Sequence, residues 1–171
     1  MGIPDEELTT KILRDLLDTC RESQAGFLRA ASRSQKTGLK EFFGAEALQQ
    51  ALFVAELELE LKKLGAASTK QLTRRQAKLR GWKELRGTRL LPSGDQTVLF
   101  LCEWGERAAL EEYYAAVQSG LPAGVLQLVE RQHSQLQEAY RRLDQIREQM
   151  PHDGRGVERP SSRVVGAGRK G

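Results

Sequence analysis

The fold of this chain is decided by residues 128–148, which read LVERQHSQLQEAYRRLDQIRE. Their apolar residues recur at intervals of three and four, the spacing that places side chains on one face of an α-helix. The same spacing occurs in residues 16–31 (LLDTCRESQAGFLRAA), 50–65 (QALFVAELELELKKLG) and 101–117 (LCEWGERAALEEYYAAV). Four amphipathic helices that each bury one face predict an all-α protein built as a four-helix bundle.

Residues that start and stop helices give approximate boundaries for the four helices. Pro4 followed by three acidic residues suits a first helical turn, and two lysines followed by Gly65 suit a helix end. We predict helices over residues 4–34, 39–64, 95–119 and 123–150. The short joints at 35–38 and 119–122 force each sequential pair of helices into an antiparallel hairpin.

A basic segment, residues 65–94, joins the two hairpins. Residues 62–91 contain ten Lys or Arg and one acid, Glu84. A helix of about 26 residues is about 39 Å long, and this segment can return along that length, so a long crossover is feasible. A compact third hairpin is also compatible with the spacing. We assign residues 1–150 to the bundle and predict a disordered tail over 151–171, which is rich in Gly, Pro, Ser and Arg.

Composition favours an ordinary soluble domain of the cytoplasm. The chain has 171 residues, 39% of them apolar, and a net charge of +4. No apolar run is long enough to span a bilayer, and the first residues lack the basic-then-apolar pattern of a signal peptide. Because there is no such apolar run, we expect no membrane partner. The two cysteines form no CxxC pair, which is typical of reduced thiols.

The strongest chemical motif is Glu130-Arg-Gln-His133 in the fourth helix. Residues spaced by three share a helix face, and bundles use this spacing to present a carboxylate and an imidazole to one metal ion. Glu103 and Glu106 in the third helix would complete a single-metal site. The alternative is a histidine in a polar seam whose hydrogen bonds are satisfied. The chain offers too few inward ligands for a di-iron centre, so we expect no cofactor beyond one possible metal ion.

Two other groups of residues have a structural and a functional interpretation. Polar residues interrupt the apolar stripe midway along each of the four helices, which predicts a polar layer inside the bundle. Cys20 and Cys102 are either small buried apolar residues or a redox or soft-metal pair that flanks this layer. Six basic residues could form a phosphate-binding surface that recruits nucleic acid, or they could pair with the acidic hairpins while nearby leucines pack on the bundle. These six are Arg74, Arg75, Lys78, Arg80, Lys83 and Arg86.

The four quoted stretches, in this order, resemble a bacterial ferritin-like family of four-helix-bundle proteins catalogued as a domain of unknown function. The resemblance spans about residues 8–148, and its specific marks are the two cysteines, Gly26-Phe27 and the CEWGE stretch at 102–106. It implies a ferritin-like bundle with a long connection between the second and third helices, and no settled activity. The chain departs from the family's pattern at one stretch, residues 23–25, and at two single positions, Gln49 and Tyr140. The positions that carry over are Cys20, Cys102, Glu103, Glu106 and Glu130.

These observations predict a non-catalytic accessory protein that acts through protein interaction, with a stress-associated role implied by analogy to ferritin-like proteins. Leu48, Leu52, Val54 and Leu59 lie off the main apolar stripe of the second helix. They could bury a second face in a homodimer, or they could lie under the crossover. Metal or redox chemistry and nucleic-acid association are the two alternative functions.

Overall fold

The computed structural model describes residues 5–66 and 94–150, and within them the chain is a bundle of four long helices with no strand. The helices are α1 Glu6–Arg33, α2 Thr37–Lys63, α3 Asp95–Val117 and α4 Ala123–Gln149. The predicted all-α bundle is confirmed. The basic crossover, the predicted tail and Pro4 lie outside the described residues.

The helix ends follow from local chemistry. Asp5 caps α1 because its carboxylate accepts hydrogen bonds from the backbone N–H groups of Glu7 and Leu8. Gly65 after α2 and Gly120 after α3 have φ angles of 68° and 78°. Glycine adopts this left-handed conformation without steric cost, which makes it the usual residue just past a helix end.

The helices pack around two apolar clusters, one at each end of the bundle. At one end the first half of α1 and the second half of α2 meet the end of α3 and the start of α4. At the other end the opposite halves of the same helices meet. Helices α1 and α4 are therefore parallel, as are α2 and α3. Each packs against the two helices antiparallel to it, so the parallel pairs occupy diagonal corners.

The connection between α2 and α3 joins opposite ends of the bundle. Ala66, just after α2, packs on the cluster at the first end. Asp95, at the start of α3, lies at the other end, where its carboxylate accepts hydrogen bonds from the backbone N–H groups of Gln35 and Lys36. A compact third hairpin would return the chain to the end where α2 stops. Ala66 and Asp95 instead lie at opposite ends of the bundle, and residues 67–93 between them lie outside the described residues.

Across the described part of the chain, none of the helices combines the length and apolar character needed to cross a bilayer.

Candidate functional site

The interior contains buried polar side chains away from the helix ends. Every helix contributes at least one, and none is more than 8% exposed. They are Thr19, Ser23, Glu46, Gln50, Glu103, Glu106 and Gln132. Polar groups inside a bundle are expensive to bury unless they are paired. This polar layer is therefore where the structure carries chemistry beyond packing.

One hydrogen-bonded chain crosses the bundle and links all four helices. The Tyr113 hydroxyl donates to Gln132 Oε1 at 2.7 Å, and Gln132 Nε2 donates to Glu56 Oε2 at 2.8 Å. The Cys20 sulfur lies 3.0 Å from the Tyr113 oxygen. Since the hydroxyl proton of Tyr113 is used toward Gln132, the Cys20 thiol is the donor in that contact. Arg131 pairs with the outer end of the chain, 2.8 Å from Glu56 Oε1.

Among the buried polar side chains, Glu106 has the least complete hydrogen bonding. It is 1% exposed, and neither carboxylate oxygen has a hydrogen-bond partner among the described residues. Burial, with a smaller contribution from the charge of Glu46, raises the pKa of Glu106 to about 8. At neutral pH the side chain is therefore predominantly the neutral carboxylic acid.

Glu46 faces the same layer from α2 and is partly neutralised. Its Oε1 lies 3.2 Å from an Arg142 guanidinium nitrogen, while Oε2 has no hydrogen-bond partner in the described part of the chain. Burial raises the pKa of Glu46, and Arg142 opposes that change. Ser23 Oγ and Gln50 Nε2 are likewise buried and unpaired within the described residues. The layer thus holds several polar atoms whose hydrogen bonding is incomplete.

Glu103 has a different environment from Glu106, one helical turn away on α3. Tyr140 donates a hydrogen bond to Glu103 Oε1 at 3.2 Å, and an Arg147 nitrogen lies 3.0 Å from Oε2. Arg107 donates to the Tyr140 hydroxyl at 3.0 Å. Arg107 also lies 3.6 Å from Glu103 Oε1, so two arginines and a phenol surround the Glu103 carboxyl group at the edge of the interior.

The structure does not bring the four predicted metal ligands together in one group. Glu103 and Glu106 are buried, but His133 is only half-buried and Glu130 is exposed. The buried residue of this turn of α4 is Gln132, because the stripe passes from Val129 to Leu136 in a step of three and then four residues and not in the expected step of four and then three. Within residues 5–66 and 94–150, no three His, Cys, Asp or Glu side chains are arranged to hold a metal ion. Burial lowers the pKa of His133.

Both cysteines are free and buried. Cys20 belongs to the apolar cluster at one end of the bundle and Cys102 to the cluster at the other end. Burial raises the pKa of the Cys20 thiol to about 12 and that of Cys102 well above its usual value. A thiol rather than a thiolate is a weak nucleophile, so these environments favour a packing role over a reactive one.

The comparison with protein families matches residues 9–119 to the family described as Domain of unknown function (DUF2383). The chain belongs to this family. No curated protein matches the chain. The family description states no activity.

The match to DUF2383 covers α1 from Thr9 onward and all of α2 and α3, and it ends before α4 begins. Cys20, Glu106 and Tyr113 therefore lie within the matched span, whereas Gln132 lies beyond it. The polar layer of this DUF2383 protein is completed by a helix outside the matched region.

The sequence patterns did not identify Gln132 as a buried member of the polar layer, or Glu56 as its hydrogen-bond partner. The available signal was Gln132 itself, a polar residue three positions after Val129 and four before Leu136 on the apolar stripe of α4. The six predicted basic-surface residues, Arg74, Arg75, Lys78, Arg80, Lys83 and Arg86, lie outside the described residues.

The cysteine environments make a first prediction about thiol reactivity. We expect both thiols of the native DUF2383 protein to react far more slowly with a disulfide reagent than in the denatured chain, because burial excludes the reagent and raises both pKa values. Absorbance of the released thiolate measures the rate, and the chain unfolded in denaturant is the control. Rapid labelling of either cysteine in the native protein would contradict the buried placement.

Proposed function

We propose that this DUF2383 protein is a non-catalytic accessory protein of the cytoplasm that acts by binding protein surfaces through the outer face of α2. One observation carries the proposal. Leu48, Leu52 and Leu59 on α2 are 66%, 60% and 55% exposed. Monomeric soluble proteins rarely expose a contiguous row of large apolar side chains, and such rows are typical of interaction sites.

The inner face of α2 is already used by the bundle. Phe43, Phe53 and Leu57 are almost fully buried there. The exposed leucines are therefore a second apolar face and not a poorly packed part of the core. A helix that is apolar on both faces gains free energy when something covers the outer one, at about 25 cal/mol for each Å² of apolar surface buried.

The non-catalytic part of the proposal is supported by the burial of the reactive groups. Cys20, Cys102 and Glu106 are at most 1% exposed, so a substrate would have to enter between packed helices to reach them. Burial also keeps the two thiols protonated, which disfavours nucleophilic chemistry.

Elemental analysis of the native protein as it elutes from a calibrated sizing column tests the function. We expect a metal-free assembly larger than the 19.2-kDa chain. Leu52→Glu should reduce the assembly to a monomer because it places a charge in the centre of the apolar row. Leu28→Glu is the matched control, since Leu28 lies on α1 and is 54% exposed. Stoichiometric metal in a monomer peak would overturn the proposal and favour the metal-binding alternative.

A further inference from the structure

We infer that the surface which covers the outer face of α2 is the same face of a second copy of this chain, running antiparallel to it. This inference rests on the proposed function. The contact surface, here called the leucine stripe, is a row of exposed residues on α2. Its members are Ala45, Leu48, Leu52, Ala55 and Leu59.

The spacing of the leucine stripe is that of a coiled-coil seam. Successive members are three, four, three and four residues apart, the pattern that lets two helices interlock their side chains along a common line. The row extends over about four helical turns, or about 21 Å. It contains no charged residue, so nothing along its length opposes the burial of the whole row.

The antiparallel arrangement makes the stripe complementary to itself in size. With Leu52 placed against Ala55 of the second copy, Ala55 meets Leu52 of that copy by symmetry, and Leu48 lies opposite its Leu59. Each central layer then combines one large and one small side chain, which allows the two backbones to approach closely. The two-fold symmetry of such a contact is the commonest form of self-association among soluble proteins.

Charge at the two ends of the stripe selects the antiparallel direction. Glu41 and Lys62 continue the three-four spacing beyond each end of the row, and both are exposed. In the antiparallel register Glu41 lies within about one helical turn of the second copy's Lys62, so both ends bring opposite charges together. A parallel register would place Glu41 on Glu41 and Lys62 on Lys62. Antiparallel helix dipoles favour the same direction.

Cross-linking between two variants tests the register. Ala45→Cys and Lys62→Cys place one exposed thiol at each end of the stripe, and a short bismaleimide joins only thiols that face each other. We expect a cross-linked dimer when the two variants are mixed and none from either alone. In the proposed register position 45 faces position 62, whereas identical positions lie about 26 Å apart along the helix axis. Adding Leu52→Glu to both variants should abolish the product.

The controls separate this inference from the proposed function. The wild-type chain, whose two cysteines are buried, measures background labelling. Cross-linking of the Ala45→Cys variant with itself would overturn the antiparallel register. A mass of 19.2 kDa by light scattering at every concentration, with no cross-link, would overturn the self-association.

If the chain is a monomer, whatever else covers the leucine stripe decides whether the proposed function still holds. A monomer that binds a different purified protein, and loses it with Leu52→Glu but not with Leu28→Glu, would overturn the inference and leave the function standing. A monomer in which Leu52→Glu lowers the melting temperature and Leu28→Glu does not would place residues 67–93 over the stripe. That result would overturn both the antiparallel self-association and the proposed function.

Discussion

Replacing Glu106 by Gln is expected to raise the free energy of unfolding by up to about 5 kcal/mol above pH 8, and by almost nothing below pH 4.5. The folded protein holds the pKa of Glu106 at about 8, against an ordinary value of 4.5. Each unit of difference corresponds to about 1.4 kcal/mol. Glutamine has nearly the same shape and remains neutral, so it removes the penalty of burying a charge.

The sign of the pH dependence follows from proton linkage. Between the two pKa values the unfolded chain has lost the Glu106 proton while the folded chain still binds it. The stability of the wild-type protein therefore falls as pH rises through this window and levels off above about 8. Glu46, whose pKa is also raised, contributes in the same direction. Denaturant unfolding of wild type and Glu106→Gln over this pH range measures both curves.

Glu103→Gln is the matched control for Glu106→Gln. It lies one turn away on the same helix, but its carboxylate is held by Tyr140 and Arg147. Replacing Glu103 should lower stability at neutral pH, because Tyr140 and Arg147 lose their partner, and this effect is opposite in sign to the effect at Glu106. A wild-type stability that does not change over the window, together with a destabilised Glu106→Gln variant, would contradict the neutral carboxylic acid. It would indicate that a bound cation holds Glu106 as a carboxylate.

The helices could be predicted from sequence because their signals are local. The three-four spacing, the acidic first turn of α1 and the glycines at 65 and 120 all act within a few residues of the position they determine. The predicted ends accordingly agree with the structure to within about two residues. The choice between a crossover and a third hairpin is different. It depends on whether α3 begins at the end of the bundle where α2 stops. Only the packing of Ala66 and the hydrogen bonds of Asp95 show that it begins at the opposite end.

The polar layer could be predicted as a region but not as a set of contacts. Val129 and Leu136 fix the apolar stripe of α4, yet Gln132 and His133 are both compatible with it, and neighbouring helix positions differ by about 100° in direction. In the structure Gln132 faces inward, where Tyr113 donates to it. A single sequence carries no record of that partner. The ferritin-like assignment and the metal alternative also remain predictions.

Tyr113→Phe is expected to lower the free energy of unfolding by about 1–3 kcal/mol, the usual effect of leaving a buried hydrogen-bonding group without its partner. Tyr113 is fully buried, and its hydroxyl is both the donor to Gln132 Oε1 and the acceptor for the Cys20 thiol. The substitution removes only that oxygen and creates no large cavity. Denaturant unfolding, monitored by the helical circular dichroism signal, measures the change.

Tyr114→Phe is the control for this second prediction, because Tyr114 is the next residue on α3 and is 61% exposed. Water replaces the hydrogen bonds of an exposed hydroxyl, so its removal should leave stability within about 0.5 kcal/mol of wild type. Adding Gln132→Leu to Tyr113→Phe should recover part of the loss, since the unpaired amide is then also removed. Equal stability of Tyr113→Phe and Tyr114→Phe would show that the chain of hydrogen bonds from Cys20 to Glu56 does not stabilise the bundle.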